Sequence, residues 1–245
     1  MSVGAFFLIF GSVAFSFAIE AALGFGATLI ALALGVLWID ARLLLPPLVF
    51  WNLVLSLCLW WKGRKKVHWW WILKEVTPWM LLGLPVGVFG FRMLPSSLLV
   101  RIFGGLVLML SAMGIWESLQ GGRSKAMPRL GASLLLALGG AVHGAFATGG
   151  PMVVYVASRR LGEKGTYRAS LSALWALLNA LVALGHLWAG AWSWASLAIF
   201  LVMAPGVMLG LVVGDWLHKH IPLERFRLLV QAGLALVGLW LGIRG

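Results

Sequence analysis

Long apolar runs recur along the whole of this chain, and nothing else in the sequence restricts its fold as much. Eight can be read, at 3–38, 43–61, 75–93, 98–116, 130–157, 169–189, 194–217 and 225–243. A helix rises about 1.5 Å per residue, so about 20 residues cross the roughly 30 Å hydrocarbon core of a bilayer. Six runs have that length. The other two, 3–38 and 130–157, are interrupted at Gly24-Phe25-Gly26 and at Thr148-Gly149-Gly150-Pro151. Of the 245 residues, 62% are hydrophobic and 11% charged, against about 45–50% and about 25% in soluble domains. A cytosolic enzyme, a disordered tail and a disulfide scaffold are excluded. An all-α polytopic membrane protein is expected.

The 19 Lys and Arg against 7 Asp and Glu give a net charge of +12. In a soluble protein this would point to nucleic acid. Here the cations fill short gaps between apolar runs, which is the placement of the positive-inside rule, and no nucleic-acid partner is expected. The single cysteine, Cys58, lies inside an apolar run and reads as a small buried hydrophobe. No Cys/His cluster has metal-ligand spacing, so neither metal nor cofactor is expected. The first run has no basic flank or cleavage site of a signal peptide and is expected to stay in the mature protein. Trp60 and Trp61, Trp69 to Trp71, and Trp188, Trp192 and Trp194 cluster at segment ends, as interfacial anchors do.

The chain repeats itself. A shift of 127 places Asn52 on Asn179, Pro78 on Pro205, Gly83 and Gly87 on Gly210 and Gly214, and Pro95 on Pro222. The two glycine-rich breaks align at a shift near 123. Residues 1–122 and 123–245 therefore read as two copies of one unit, an interrupted segment followed by three plain ones. Charge decides how the copies are oriented. If all eight segments cross, the cations divide 10 to 9 between the two sides. If 130–157 enters and leaves on one side, they divide 15 to 4, with only Arg42, Arg92, Arg101 and Arg244 outside. The second arrangement obeys the rule. By the repeat, 3–38 is then a hairpin as well. A hairpin plus three crossings is an odd number of crossings, so the copies are expected to be inverted, an architecture of secondary transporters.

The breaks are the foremost candidate site. Gly and Pro free backbone groups that cost several kcal/mol each when unsatisfied in lipid, so broken backbone at that depth must face protein or a water-filled cavity. Pro151 suits the first turn of a new half-helix with Thr148 as its N-cap, and the positive end of that half-helix attracts an anion. The plainer alternative is a kink or close helix packing. Glu20 is the only acid in 3–38, and His143 holds the matching place in the second half. Each is a candidate for proton or substrate handling, or for a structural hydrogen bond. Asn52 and Asn179 are mid-segment carboxamides that either donate to a substrate oxygen or clamp the broken backbone. Thr28 follows the first break, and Arg168 opens 169–189 as a candidate anion-attracting cation at a cavity mouth. Arg42 stands in a similar place before 43–61, and His186 lies near the outer interface. Asp215 and Glu224 read as charge balance for Lys219, Arg225 and Arg227. No Walker motif, HExxH or GxSxG is present, so no enzyme is expected.

Several stretches carry a family resemblance. They are EAALGFGATLIALAL, DARLLLPPLVFWNLVLSL and LLGLPVGVFGFRMLPSSLLVRIFGGLVLML in the first half, and GGAVHGAFATGGPMVVYVA, TYRASLSALWALLNAL and APGVMLGLVVGDWLHKHIPLERFRLLV in the second. The pattern resembles the TauE/SafE family of sulfite-exporter-like permeases, also called TSUP, over nearly the whole chain. Its most specific part is the ATGGP block followed by YRASL and the mid-segment Asn. The resemblance implies an inner-membrane permease of a small anion such as sulfite, a sulfonate or sulfoacetate. Alternating access between the halves would move the anion, coupled to a proton or sodium. Gly24, Phe25, Gly26, Thr28, Asn52, Thr148, Gly149, Gly150, Pro151, Asn179 and Arg168 are the expected binding residues, and Glu20 and His143 the expected proton carriers. An anion channel and a non-transporting membrane scaffold remain as alternatives. The oligomeric state is open, a homodimer included.

Overall fold

The structure is a computed structural model that describes residues 3–119, 128–157, 159–161 and 163–220, with residues 235 and 239. Apart from those last two positions, the expected segment 225–243 lies outside the described residues. Nine α-helices are described: α1 Val3–Leu23, α2 Ala27–Gly35, α3 Ala41–Gly63, α4 Thr77–Met93, α5 Ser96–Leu119, α6 Arg129–Phe146, α7 Gly150–Ala157, α8 Lys164–Trp188 and α9 Trp194–His220. A π-helical stretch, Trp71–Val76, runs directly into α4. No strand occurs among the described residues. Among the described residues, five helical stretches are long and apolar enough to cross a membrane: Ala41–Lys66, Trp71–Met93, Arg129–Phe146, Lys164–Trp188 and Trp194–His220. Leu82, Val86, Phe89, Leu201, Met208 and Val212 are exposed on α4 and α9. Lipid takes the place of water over these faces.

Both interrupted segments break, the first at its glycines and the second at residues 147–149, so that Gly150 and Pro151 already belong to the helix that follows. Gly24 and Gly26 have φ of +89° and +109°, conformations closed to side chains with a Cβ. The second break turns on Ala147 at φ 51°, the sole non-glycine at positive φ among the described residues. Beyond each break the chain forms a half-helix of 9 residues in α2 and 8 in α7. Those lengths are about 12–14 Å, less than half the hydrocarbon core.

Glycine contacts fix how the hairpins pack. Gly83 faces Ala137 and Ala141, Gly87 faces Ala141 and Ala145, and Gly140 and Gly144 face Met80 and Leu84. Numbers rise together, so α4 and α6 run parallel with their backbones in contact. Likewise Gly206, Gly210 and Gly214 of α9 step along Phe10, Ala14, Ala18 and Ala21 of α1. These are small-residue interfaces in which the missing Cβ allows close backbone approach. The contacts are themselves duplicated: Gly83 on Ala137 and Ala141 matches Gly210 on Ala14 and Ala18.

α3 and α8 cross the centre in opposite directions. The end of α3 at Gly63 touches Ala169 at the start of α8. Midway, Asn179 Nδ2 donates to Asn52 Oδ1 at 2.6 Å. At the other end Arg42 and Leu43 share a cavity wall with Gly185 and His186. Around this pair lies a core that includes Phe17, Leu32, Leu45, Leu48 and Phe103, with α5 lying against α2 and α3.

One end of the molecule gathers most of the described cations. Lys66 Nζ lies 2.9 Å from Glu163, Arg160 Nε lies 3.6 Å from Glu75, and Asp215 collects Lys62, Arg168 and Lys219 at 3.4, 2.8 and 3.3 Å. The gaps 62–74, 158–168 and the end of α9 thus share one end, as the charge argument requires. α6 starts and α7 finishes at this basic end. α1, parallel to α9, starts at the opposite end, to which α2 returns. Asp215 balances Lys219 as read from the sequence, and its other partners come from α3 and α8. Glu224, Arg225 and Arg227 lie outside the described residues.

Two side chains differ from expectation. Trp69 and Trp70 are exposed as interfacial anchors should be, but Trp71 is only 2% exposed. Trp71 opens the π-helical turn and belongs to the same buried core cluster as Ile72, Val76 and Leu136. Cys58 is half-buried rather than buried.

Candidate functional site

The two breaks meet. A Cβ placed on Gly150 would stand 3.5 Å from Phe25 Cβ and 3.8 Å from Trp175 Cζ2. Between them lies a cavity lined by Glu20, Phe25, Gly26, Thr28, Leu29, Asn52, His143, Ala147, Thr148, Gly150, Trp175 and Asn179. Its volume, counted over the positions open to the centre of a water molecule, is about 20 Å³. A single water needs about 10–15 Å³ on that measure. The site is therefore closed down to the size of one water.

The first half of the wall is hydrogen-bonded. Ala27 N donates to Glu20 Oε2 at 2.7 Å, and Asn52 Nδ2 donates to the same oxygen at 2.8 Å. Glu20 thereby caps the first turn of α2, where a negative charge is favoured by the exposed amides and the helix dipole. Asn52 Oδ1 accepts from Asn179 Nδ2 and, at 3.2 Å, from Ser56 Oγ. Neither asparagine clamps the broken backbone; they join the centre of α3 to the centre of α8 and tie both to Glu20.

The second half of the wall is not satisfied in this way. Thr148 Oγ1, both ring nitrogens of His143, Asn179 Oδ1 and, from the first half, Thr28 Oγ1 are buried with no partner among the described residues. All four residues are at most 4% exposed. Buried polar groups are rarely left unpaired, and each costs about 1–3 kcal/mol when it is. All four line the one cavity. The His143 ring is held against Trp175, with centroids 5.7 Å apart and planes 19° apart. Trp175 Nε1 donates at 2.9 Å to the carbonyl of Gly24, so one side chain bridges the two breaks.

Most of the sequence candidates converge here, with several differences. Gly24 and Gly149 stand behind the wall rather than in it: Gly24 supplies the carbonyl to Trp175, and Gly149 packs against Gly139 and His143. Pro151 is the second residue of α7, within its first turn. Thr148 is not the side-chain cap of α7, which begins at Gly150; its hydroxyl turns into the cavity without a partner. Arg168 is not at the cavity. Its guanidinium donates to Asp215 at 2.8 Å, and its backbone covers Gly24. An arginine whose charge is already paired serves as a tether between α8 and α9. Trp175 escaped the sequence reading. The available signal was a tryptophan in mid-segment instead of at an interface, four residues before Asn179 and so on the same helix face.

The family model described as "Sulfite exporter TauE/SafE" matches residues 8–241. Among curated proteins and among solved structures, none matches the chain.

Proposed function

This chain belongs to the sulfite exporter TauE/SafE family, and from that premise we propose that it is a permease that moves a small oxyanion, such as sulfite or a sulfonate, through the cavity between the two breaks. The observation that carries the reading is the set of partnerless groups on Thr28, His143, Thr148 and Asn179 around that cavity. Hydroxyl and imidazole hydrogens, with the first amides of α7, replace the hydration of the anion's oxygens. The carbonyl of Asn179 accepts from a protonated oxygen of the guest.

The halves, 1–122 and 123–245, are read as inverted copies. Supporting this are the antiparallel α3 and α8 that meet at repeat-equivalent Asn52 and Asn179, and hairpins that enter from opposite ends. The basic end is read as cytoplasmic, in the inner membrane. A site closed to the size of one water favours alternating access over an open channel: the halves part to admit the anion from one side and then from the other.

Glu20 gives the coupling its sign. An anion about 5 Å from a carboxylate is repelled by about 3 kcal/mol at an effective dielectric of about 20. The carboxyl therefore takes up a proton as the anion enters, and anion and proton travel together. His143 is the second candidate carrier.

The test is flux into proteoliposomes. Hydrogen bonds to a charged group are worth about 1.5–3 kcal/mol. Thr148→Ala and Asn179→Ala are each expected to slow oxyanion flux at least tenfold; wild-type rates in both would remove the site. A thermal-shift screen against sulfite, sulfate, thiosulfate, sulfoacetate and carboxylates identifies the substrate, since a ligand at about 100 times its Kd adds about 2.7 kcal/mol.

A further inference from the structure

A second and larger cavity opens at the end opposite the basic one. Its volume is about 480 Å³ on the same measure, within the range of ligand pockets. Arg42 and Arg92 line it, with His186, Trp192 and Ser193. Charge counting expects four cations on this side of the membrane, Arg42, Arg92, Arg101 and Arg244, and the first two line this one basin. Each guanidinium is seated on a backbone carbonyl: Arg42 Nη2 donates to Leu94 O at 2.8 Å, and Arg92 Nη2 to Gly185 O at 3.4 Å. Neither meets a carboxylate among the described residues. The nearby acid, Asp40, accepts from the Arg42 backbone N–H at the start of α3.

The remaining polar wall is also short of partners. Trp192 Nε1 and His186 Nε2 are buried with no partner among the described residues. The indole nitrogen is a donor only, and arginine has no acceptor. A donor-rich wall with two unpaired positive charges fits an oxyanion and not a cation. The basin is also on the way to the central site. Val182 lines it one turn beyond Asn179 on α8, and Gly144 lines it next to His143. Phe91 forms part of its wall and meets Phe146 edge-on, with centroids 6.2 Å apart, directly before the second break.

We propose that this basin is a separate oxyanion-holding site, in which Arg42 and Arg92 concentrate a small singly or doubly charged oxyanion before the Phe91–Phe146 contact opens to the centre. The inference rests on the permease reading for the direction of use, but the basin is testable without transport. The shared chemistry is an oxyanion, and an anionic lipid headgroup carries it too; the assignment here is to the free solute.

The test uses the full chain with Cys58→Ser and Ala191→Cys, placing one thiol in the basin wall, in discs of phosphatidylcholine. The thiol is labelled with a sulfonate-bearing methanethiosulfonate and with its trimethylammonium counterpart, each rate divided by that for a free thiol in solution. Focusing by two charges is expected to favour the anionic reagent by about tenfold or more. Methanesulfonate should slow that labelling. Arg42→Lys with Arg92→Lys should keep the preference, and Arg42→Gln with Arg92→Gln should lose it. Equal normalised rates in the Ala191→Cys protein overturn the proposal whether or not the arginine variants fold. If discs containing phosphatidylglycerol block labelling while methanesulfonate does not, the basin is a headgroup seat and the proposal falls. Absence of flux with the preference intact removes the permease reading alone; flux without the preference removes the basin alone.

Discussion

Gly87 and Gly90 lie one turn apart on α4, and alanine at the two positions should act with opposite sign. A Cβ on Gly87 would fall against the carbonyl oxygen of Ala141, 2.7 Å from its carbonyl carbon and 2.8 Å from Ala145 N. Carbon atoms in good contact stand about 3.5–4.0 Å apart. The obstacle is backbone and cannot rotate away, so α4 and α6 must separate by about 1 Å, which forfeits a quarter to a half of each contact along the seam. Overpacking of this kind costs about 1–3 kcal/mol. At Gly90 a Cβ would meet nothing within 4 Å. Both substitutions gain the same helix propensity, up to about 1 kcal/mol. The difference between them isolates the steric cost, about 1–3 kcal/mol. Reversible unfolding in mixed micelles, titrated with a denaturing detergent and followed by helicity, reads both. Gly87→Ala should unfold at a lower fraction of that detergent than wild type, and Gly90→Ala at an equal or higher one. Because α6 carries His143 and leads into the second break, Gly87→Ala should also depress flux. Equal midpoints for the two variants would refute the close approach of α4 to α6, and with it the argument for how that hairpin is held.

Three further outcomes are expected. In a double-mutant cycle on Asn52→Ala and Asn179→Ala, the coupling should be about 0.6 kcal/mol and no more than about 1.7, the range for hydrogen bonds between membrane helices; additive single effects would mean that the two carboxamides do not meet. Glu20→Gln keeps an acceptor for Ala27 N–H but has no proton to carry, so flux driven by the substrate gradient should persist while acceleration by an imposed proton gradient disappears; an unchanged gradient response would clear Glu20 of coupling. At the basic end, the hydrogen bond from Lys66 holds the Glu163 carboxyl below the ordinary glutamate range. A carboxylate with a folded-state pKa below its unfolded one adds stability above the unfolded value, and that stability is lost as pH falls through the folded one. Glu163→Gln should therefore flatten thermal stability against pH only on the acid side of the usual glutamate range, and slightly, since both side chains are exposed. A change confined to neutral pH would contradict the assignment.

The sequence alone determined where the chain breaks and how long its apolar runs are, and it reads as two copies of one unit. These are properties of the backbone and of transfer to lipid: the glycines at Gly24 and Gly26 and the Gly149-Gly150-Pro151 run just past Ala147 mark where each helix gives way, although Gly139-Gly140 and Pro46-Pro47 stand inside helices, and about 20 apolar residues span a bilayer in any context. Which face each helix presents was decided by the tertiary structure. A membrane helix is apolar all round, since lipid and protein core solvate its side chains alike, and so its pattern holds little record of rotation about its axis. For that reason Trp71 reads as an anchor and packs inward, Arg168 reads as an anion collector and is spent on Asp215, and Trp175 goes unnoticed until it joins the two breaks. Asn52 and Asn179 could be matched by register, but only the antiparallel crossing of α3 and α8 made that match a hydrogen bond and set Glu20, His143 and Thr148 around one small cavity.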